Sequence, residues 1–195
     1  MIINPSTLTS GIKVIPSDSI NIPGPVLKYA GVTTADLASK LVQYGMDVNV
    51  CMTPNSEKFI TPLTFSAITG KETYIDKTII DEKNTYYPHL YPAIHADIFI
   101  LIPATANIIG KIANGLADDP VTNTSISLKK ECERFFCPAM NNEMWEQGIV
   151  QENCVKLKSF GWTQIGPDIG NLACGNTGIG RLSDISKIFE MIINI

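Results

Sequence analysis

The segment Ala96-Asp97-Ile98-Phe99-Ile100-Leu101-Ile102-Pro103-Ala104-Thr105-Ala106-Asn107 decides the fold class. Residues 98–102 are five large apolar side chains in a row. A membrane span needs about 20 such residues, so this run suits instead a parallel strand buried on both faces. Pro103 has no amide hydrogen to donate and is expected to end the ladder. Small and polar residues follow, and residues 108–115 read as a helix closed by Gly115. A strand, a small-residue turn and a helix N-terminus form the usual ligand edge of an open α/β sheet, where backbone amides and the helix dipole favour an anion.

Working outward, the pattern on both sides alternates strand and helix. Upstream, residues 33–45 carry an apolar stripe of Leu37, Leu41 and Val42, with Thr33 as the expected helix cap and Asp36 three residues on. Residues 46–52 read as the next strand. The first strand has two candidates of equal pattern, residues 12–15 and 19–22, in a region broken by Pro5, Pro16, Pro23 and Pro25. Residues 23–26 are expected to make a tight loop near the sheet edge or, equally, a rigid surface connection. Thr53-Pro54-Asn55-Ser56 leaves the second strand with hydroxyl and amide groups at the predicted ligand edge, or with Thr53 simply capping a short helix around residues 57–59. Residues 62–69 read as another short helix, and 72–87 is polar with no assignment. Downstream, residues 134–140 resemble a second buried strand stopped by Pro138. A helix over 147–160, a strand over 162–165 and a C-terminal helix over 183–193 complete an α/β pattern. Five glycines between residues 166 and 180 suit a lid at about 166–182 that closes over a substrate.

Composition narrows the function classes. At 195 residues, with 45% hydrophobic and 17% charged residues, the chain is expected to be a single globular domain over 1–195. A net charge of −4 argues against nucleic acid as the main partner. No apolar run reaches a membrane span and the first residues lack a basic flank, so a cytoplasmic protein without a membrane partner is expected. The five cysteines are scattered with no C-x-x-C pair, which disfavours a disulfide framework and a structural zinc site; no metal is expected. Asp118 and Asp119 suit a turn or helix cap better than a cation site. Asn141 falls where a strand leaves the sheet edge, and its amide can donate and accept toward a ligand. By residue chemistry alone His89 and His95 are equally available as a base, Met144 and Trp145 read as packing, and Cys174 is a thiol between small residues.

Taken in chain order, four of these features resemble the motifs of the homo-oligomeric flavin-containing cysteine decarboxylases. They are His89, the turn Pro103-Ala104-Thr105-Ala106-Asn107, the block Pro138-Ala139-Met140-Asn141-Asn142-Glu143-Met144-Trp145, and Leu172-Ala173-Cys174-Gly175. The resemblance implies a Rossmann-like, flavodoxin-like parallel sheet with helices on both faces, assembled as trimers or dodecamers. It implies flavin mononucleotide (FMN) bound by Thr105, Ala106, Asn107 and Ile108, with Thr53, Asn55 and Ala139 contributing. It selects His89 over His95, makes Asn141 the holder of a substrate carboxylate with Met144 and Ala173 beside it, and makes Cys174 the acid on the lid. Members of this family act on phosphopantothenoylcysteine in coenzyme A synthesis or on the C-terminal cysteine of ribosomal peptides. Other relatives are flavin-binding regulatory subunits that inhibit phosphatases. Cys174 favours the first of these, because the peptide-modifying branch lacks a lid cysteine. The chain departs from the family near its start, where residues 23–27 would have to replace the usual glycine- and serine-rich flavin loop. It departs again at Ile108, where the family has threonine.

Overall fold

The computed structural model describes residues 12–15, 25–76, 93–171 and 177–195. A five-stranded sheet of β1 (Ile12–Ile15), β2 (Val48–Val50), β3 (Ile98–Ala104), β4 (Glu133–Pro138) and β5 (Trp162–Gln164) runs in the order β2-β1-β3-β4-β5. Every neighbouring pair is parallel. This is the flavodoxin-like order, and the direction of progression across the sheet reverses between β1 and β3. Of the two candidates for the first strand, residues 12–15 take the place between β2 and β3.

The central strand shows why the run at 98–102 is apolar throughout. Ile98, Ile100 and Ile102 enter a core with Leu37, Ala38 and Leu41 of α1 (Pro25–Gln43), Phe65 of α2 (Pro62–Thr69) and Ile185, Ile188 and Ile192 of the C-terminal helix. Phe99, Leu101 and Ala104 enter a second core on the opposite face. There they meet Ile108, Ile109 and Ala113 of α3 (Ala106–Ala113) and Val150, Cys154 and Leu157 of a later helix, α6 (Gly148–Ser159). Alternate side chains of a strand point to opposite faces, so both sets must be apolar when helices cover both. Trp162 of β5 closes the second core, edge-on to Phe99 at 5.6 Å and to Phe136 at 6.4 Å. Truncating a side chain as buried as Phe99 to alanine typically costs about 3–5 kcal/mol.

Several boundaries differ from expectation for identifiable reasons. β3 does not stop at Pro103 but runs to Ala104, because the ladder carries an extra residue there. Leu101 pairs with Phe136 and Ala104 with Pro138, so three steps on β3 oppose two on β4. A bulge leaves one residue out of the ladder, which is where a residue without an N–H can sit. The first helix begins at Pro25 rather than at a Thr33 cap, and Thr34 is wholly buried within it. Proline suits a first helical turn, whose amides lack intrahelical partners anyway. Pro25 and Val26 therefore belong to this helix and not to a loop. β2 is shorter than residues 46–52, but Cys51 continues it through a parallel bridge to Tyr74, whose carbonyl accepts from Met52 N at 2.8 Å.

Other readings hold. A 3-10 turn spans Ser56–Lys58, and α2 covers residues 62–69 as expected. α3 ends at Gly115 (φ +70°), with Leu116 N donating to Lys111 O at 3.0 Å and Gly115 N to Ile112 O at 3.1 Å. Those two bonds satisfy the last carbonyls in the manner that a left-handed glycine allows. Asp119 is a helix cap: its Oδ1 accepts from Val121 N and Thr122 N at the start of α4 (Pro120–Ile126), and its Oδ2 accepts from Lys111 Nζ at 3.1 Å. Burial lowers the Lys111 pKa, but its hydrogen bonds to Asp118 and Asp119 outweigh that and hold it above the ordinary lysine value. A short helix, α5 (Asn142–Trp145), precedes α6, and α7 (Ile185–Ile193) ends the fold, capped by Asp184. Among the described residues no helix is long and apolar enough to cross a membrane.

The glycine-rich stretch is not simply a loop. Its arms, β6 (Asp168–Asn171) and β7 (Thr177–Arg181), pair antiparallel as a separate two-stranded sheet. An ion pair from Lys187 of α7 to Asp168, 2.8 Å long, ties the first arm to the last helix.

Candidate functional site

The carboxyl ends of the sheet gather most of the polar residues that the sequence singles out. At the end of β2, Thr53 is wholly buried, and its Oγ1 accepts from Ser56 N at 3.2 Å while Ser56 Oγ donates to Thr53 O at 2.8 Å. The turn is thus closed on itself, and Thr53 does help start the 3-10 turn. Asn55 beside it accepts from Lys58 Nζ at 2.8 Å through its side-chain oxygen. β1 separates β2 from β3, so Thr53 and Thr105 follow strands two places apart in the sheet, on either side of the point where the strand order reverses. Ligands bind in that crevice because the helices after β1 and β3 leave on opposite faces.

At the end of β3, Thr105 caps α3 and its Oγ1 accepts from Ile108 N at 3.5 Å. Ala106 and Asn107 are half-buried at the first turn. Ile108 is wholly buried in the second core, so its part at this edge is confined to its backbone. At the end of β4, Ala139 N donates to Ala104 O at 3.0 Å, which holds the 103–107 turn and the 138–145 block side by side.

Asn141 follows and caps α5, its Oδ1 accepting from Met144 N at 2.8 Å. That bond commits the Asn141 oxygen to the helix cap, and the NH2 group is the amide's donor. Met144 lies half-buried one turn on, while Trp145 is packed in the second core, in line with its reading as a packing residue.

His89, Ala173 and Cys174 lie outside the described residues. His95 is exposed in the turn before β3. The seven residues of β3 place it roughly 20 Å from the carboxyl edge, so it does not share the site. Four other cysteines, Cys51, Cys132, Cys137 and Cys154, are buried thiols outside any disulfide. Burial pushes the Cys132 and Cys154 thiols up to about 11, and Cys137 further still. A thiol held neutral in a core cannot serve as a ready proton donor or nucleophile.

One residue of this region escaped the sequence reading. Asn142 accepts from Ile179 N of β7 at 3.2 Å through its Oδ1, and Met140 N donates to Gly180 O at 2.9 Å. The second arm of the hairpin is therefore bound to the segment on either side of Asn141. The available signal was the alternation Gly178-Ile179-Gly180, which strips one face of a strand of side chains so that another backbone can approach.

The set at the edge is chemically coherent. Threonine hydroxyls, the Asn55 and Asn141 amides, backbone N–H groups and a helix N-terminus offer neutral donors and acceptors. These are what a heteroaromatic ring system with an attached phosphate requires.

Comparison with known proteins agrees with that chemistry. The family model described as "Flavoprotein" matches residues 29–195. A probable phosphopantothenoylcysteine decarboxylase of Streptococcus mutans is 39% identical over 163 residues, covering 84% of this chain and 90% of that protein. The coenzyme A biosynthesis bifunctional protein CoaBC of Bacillus subtilis is 41% identical over 155 residues, which is 80% of this chain but 37% of that longer protein. Among solved structures, a cysteine-to-serine mutant of PPC decarboxylase complexed with pantothenoylaminoethenethiol superposes with a TM-score of 0.81 at 23% identity, over 94% of this chain and 96% of that one; at that identity the likeness shows the fold. The FMN binding protein AtHal3 superposes with a TM-score of 0.79 at 25% identity, over 94% of each chain. The strand order, the polar residues at its carboxyl edge and these matches lead to one conclusion: the chain belongs to the flavoprotein family, alongside relatives named for the decarboxylation of phosphopantothenoylcysteine.

Proposed function

We propose that this chain binds FMN at the β1/β3 crevice and converts 4′-phosphopantothenoylcysteine to 4′-phosphopantetheine and carbon dioxide, a step of coenzyme A biosynthesis. The observation that supports the proposal is the Ala139–Ala104 hydrogen bond, which brings the 103–107 turn beside the segment that leads to Asn141. Thr53, Asn55, Thr105, Ala106, Asn107, the backbone of Ile108, and Ala139 are the residues that would hold the cofactor. Bound FMN supplies a reversible two-electron acceptor for hydride from the cysteine β-carbon, so that carbon dioxide is lost with no net redox change.

The chain's own groups do the rest. The Asn141 NH2 end donates to the substrate carboxylate, orienting it without the ion pair that would stabilise the ground state. Met144 and Ala173 flank it. His89 serves as base or orienting group, with an imidazole suited to neutral pH, and Cys174 returns a proton to the product carbon. These roles rest on the resemblance and on Asn141's geometry. The functional unit is a homo-oligomer, a trimer or a dodecamer. Leu116, Ile126 and Phe160, exposed around one shallow groove, support that reading.

The test is direct. The purified protein is titrated with FMN, then assayed for carbon dioxide release from phosphopantothenoylcysteine and, in parallel, from a peptide ending in cysteine. Saturable binding with turnover of the small substrate is expected. A protein that binds no flavin defeats the enzymatic reading, and turnover of the peptide alone transfers the site to the peptide-modifying branch.

A further inference from the structure

The arms of the hairpin rest on the 140–142 segment in a way that assigns a task to Asn142. In β7 the groups facing away from β6 would form an unpaired strand edge. Two of them are satisfied instead by the segment that bears Asn141. Gly180 O accepts from Met140 N at 2.9 Å, and Ile179 N donates to Asn142 Oδ1 at 3.2 Å. The side-chain carbonyl of Asn142 thus stands in for the backbone carbonyl of a neighbouring strand.

The close approach depends on two glycines. A Cβ on Gly180 would lie 2.3 Å from Met140 O, at a φ of +137° that disfavours any side chain. A Cβ on Gly178 would lie 2.9 Å from Asn142 Oδ1 and 3.2 Å from Asn142 Cβ. Asn141 and Asn142 therefore divide two jobs. The first caps α5 through its oxygen, and the second fixes the hairpin against the same turn.

We infer that Asn142 is a positioning residue, which sets the register of β7 against the Asn141 turn and so fixes one wall of the substrate site. This inference rests on the decarboxylase reading above. It concerns substrate placement rather than flavin binding, because the Asn142 side chain is engaged with Ile179 of β7.

Asn142→Ala removes the acceptor, and Asn142→Asp keeps one while suiting the first turn of α5. With the FMN-loaded enzyme, Asn142→Ala is expected to raise KM for phosphopantothenoylcysteine by roughly fivefold, the worth of one ordinary hydrogen bond, with kcat less affected and the flavin spectrum and affinity unchanged. Asn142→Asp is expected to restore KM. In hydrogen-exchange mass spectrometry of the same proteins, exchange in the peptide containing Ile179 should accelerate in Asn142→Ala and return in Asn142→Asp. Gly178→Ala, which pushes on the same side chain, should reproduce the alanine phenotype and combine with it non-additively. Unchanged exchange at Ile179, or unchanged KM, in Asn142→Ala overturns the inference. So does a loss of flavin affinity in step with the loss of activity, which would make the residue part of the general fold. A wild-type protein that releases no carbon dioxide overturns the decarboxylase reading itself, and the exchange data still report separately on the anchor.

Discussion

Replacing Asn141 with aspartate separates the two uses of that side chain. In the structure its Oδ1 accepts from Met144 N at 2.8 Å, and the proposed function gives its NH2 group to the substrate carboxylate. Aspartate is as good an N-cap as asparagine and favours the positive end of the helix, so folding should be unaffected. At the NH2 position, however, a carboxylate oxygen replaces a donor. Losing a hydrogen bond to a charged substrate group costs about 1.5–3 kcal/mol, and two like charges about 4 Å apart at an effective dielectric near 20 repel by about 4 kcal/mol. The sum is roughly 5–7 kcal/mol, about ten-thousandfold or more in kcat/KM. Asn141→Ala loses the cap as well, worth about 1 kcal/mol, which in a chain of 195 residues lowers Tm by roughly 2–4 °C. The assay is thermal unfolding of both variants beside kcat/KM for carbon dioxide release. Two results refute the reasoning: Asn141→Asp melting as low as Asn141→Ala, which removes the cap argument, or Asn141→Asp keeping kcat/KM within tenfold of wild type, which removes the carboxylate argument.

Further outcomes follow from the same structure. The Lys187 hydrogen bond is the main cause holding the Asp168 carboxyl below its ordinary value, with burial opposing it. The native state therefore binds fewer protons at this group than the unfolded chain, so the ion pair stabilises above the unfolded pKa of about 3.9 and is lost as pH falls through the lower folded value. Urea unfolding of wild type and Asp168→Asn should accordingly differ at pH 7 and converge as the pH falls through the lowered folded value; a gap that persists in acid contradicts this assignment. In alkylation of native protein, Cys132, Cys137 and Cys154 should stay unlabelled until denaturant is added, since burial raises all three thiols; peptide mapping that finds Cys137 modified at the rate of Cys174 would disprove it. Cys174→Ser should still release carbon dioxide but accumulate an oxidised enethiol product, detected by mass spectrometry, and normal saturated product at the wild-type rate removes Cys174 from the mechanism. Sedimentation should show a trimer or dodecamer, and a fully active monomer would contradict the oligomeric reading.

Much of the architecture was legible before any coordinates. The run at 98–102 reported burial on both faces, because only apolar residues survive where helices cover a strand twice. The span of α2, the closing of α3 at Gly115 and the cap at Asp119 follow from residues within a few positions of each other, where local hydrogen bonding decides the outcome. The polar turns at 53–56, 103–107 and 138–145 likewise read as following strand ends at one edge of the sheet.

What the sequence alone could not decide was always a question of neighbours. Residues 12–15 and 19–22 carry the same short apolar pattern, and only pairing with both Val48–Val50 and Ile98–Leu101 selects the first. The strand order that opens the crevice between β1 and β3 is likewise absent from any local period, because periodicity tells which face is buried and not which strand lies alongside. His95 is a histidine like His89 in composition, and its exclusion comes from the length of a strand. The glycines at 178 and 180 read, with three others, as part of a lid at about 166–182. They also mark a close approach, since the groups that need their missing side chains, the Asn142 side chain and the Met140 carbonyl, lie 36 and 40 residues earlier in the chain.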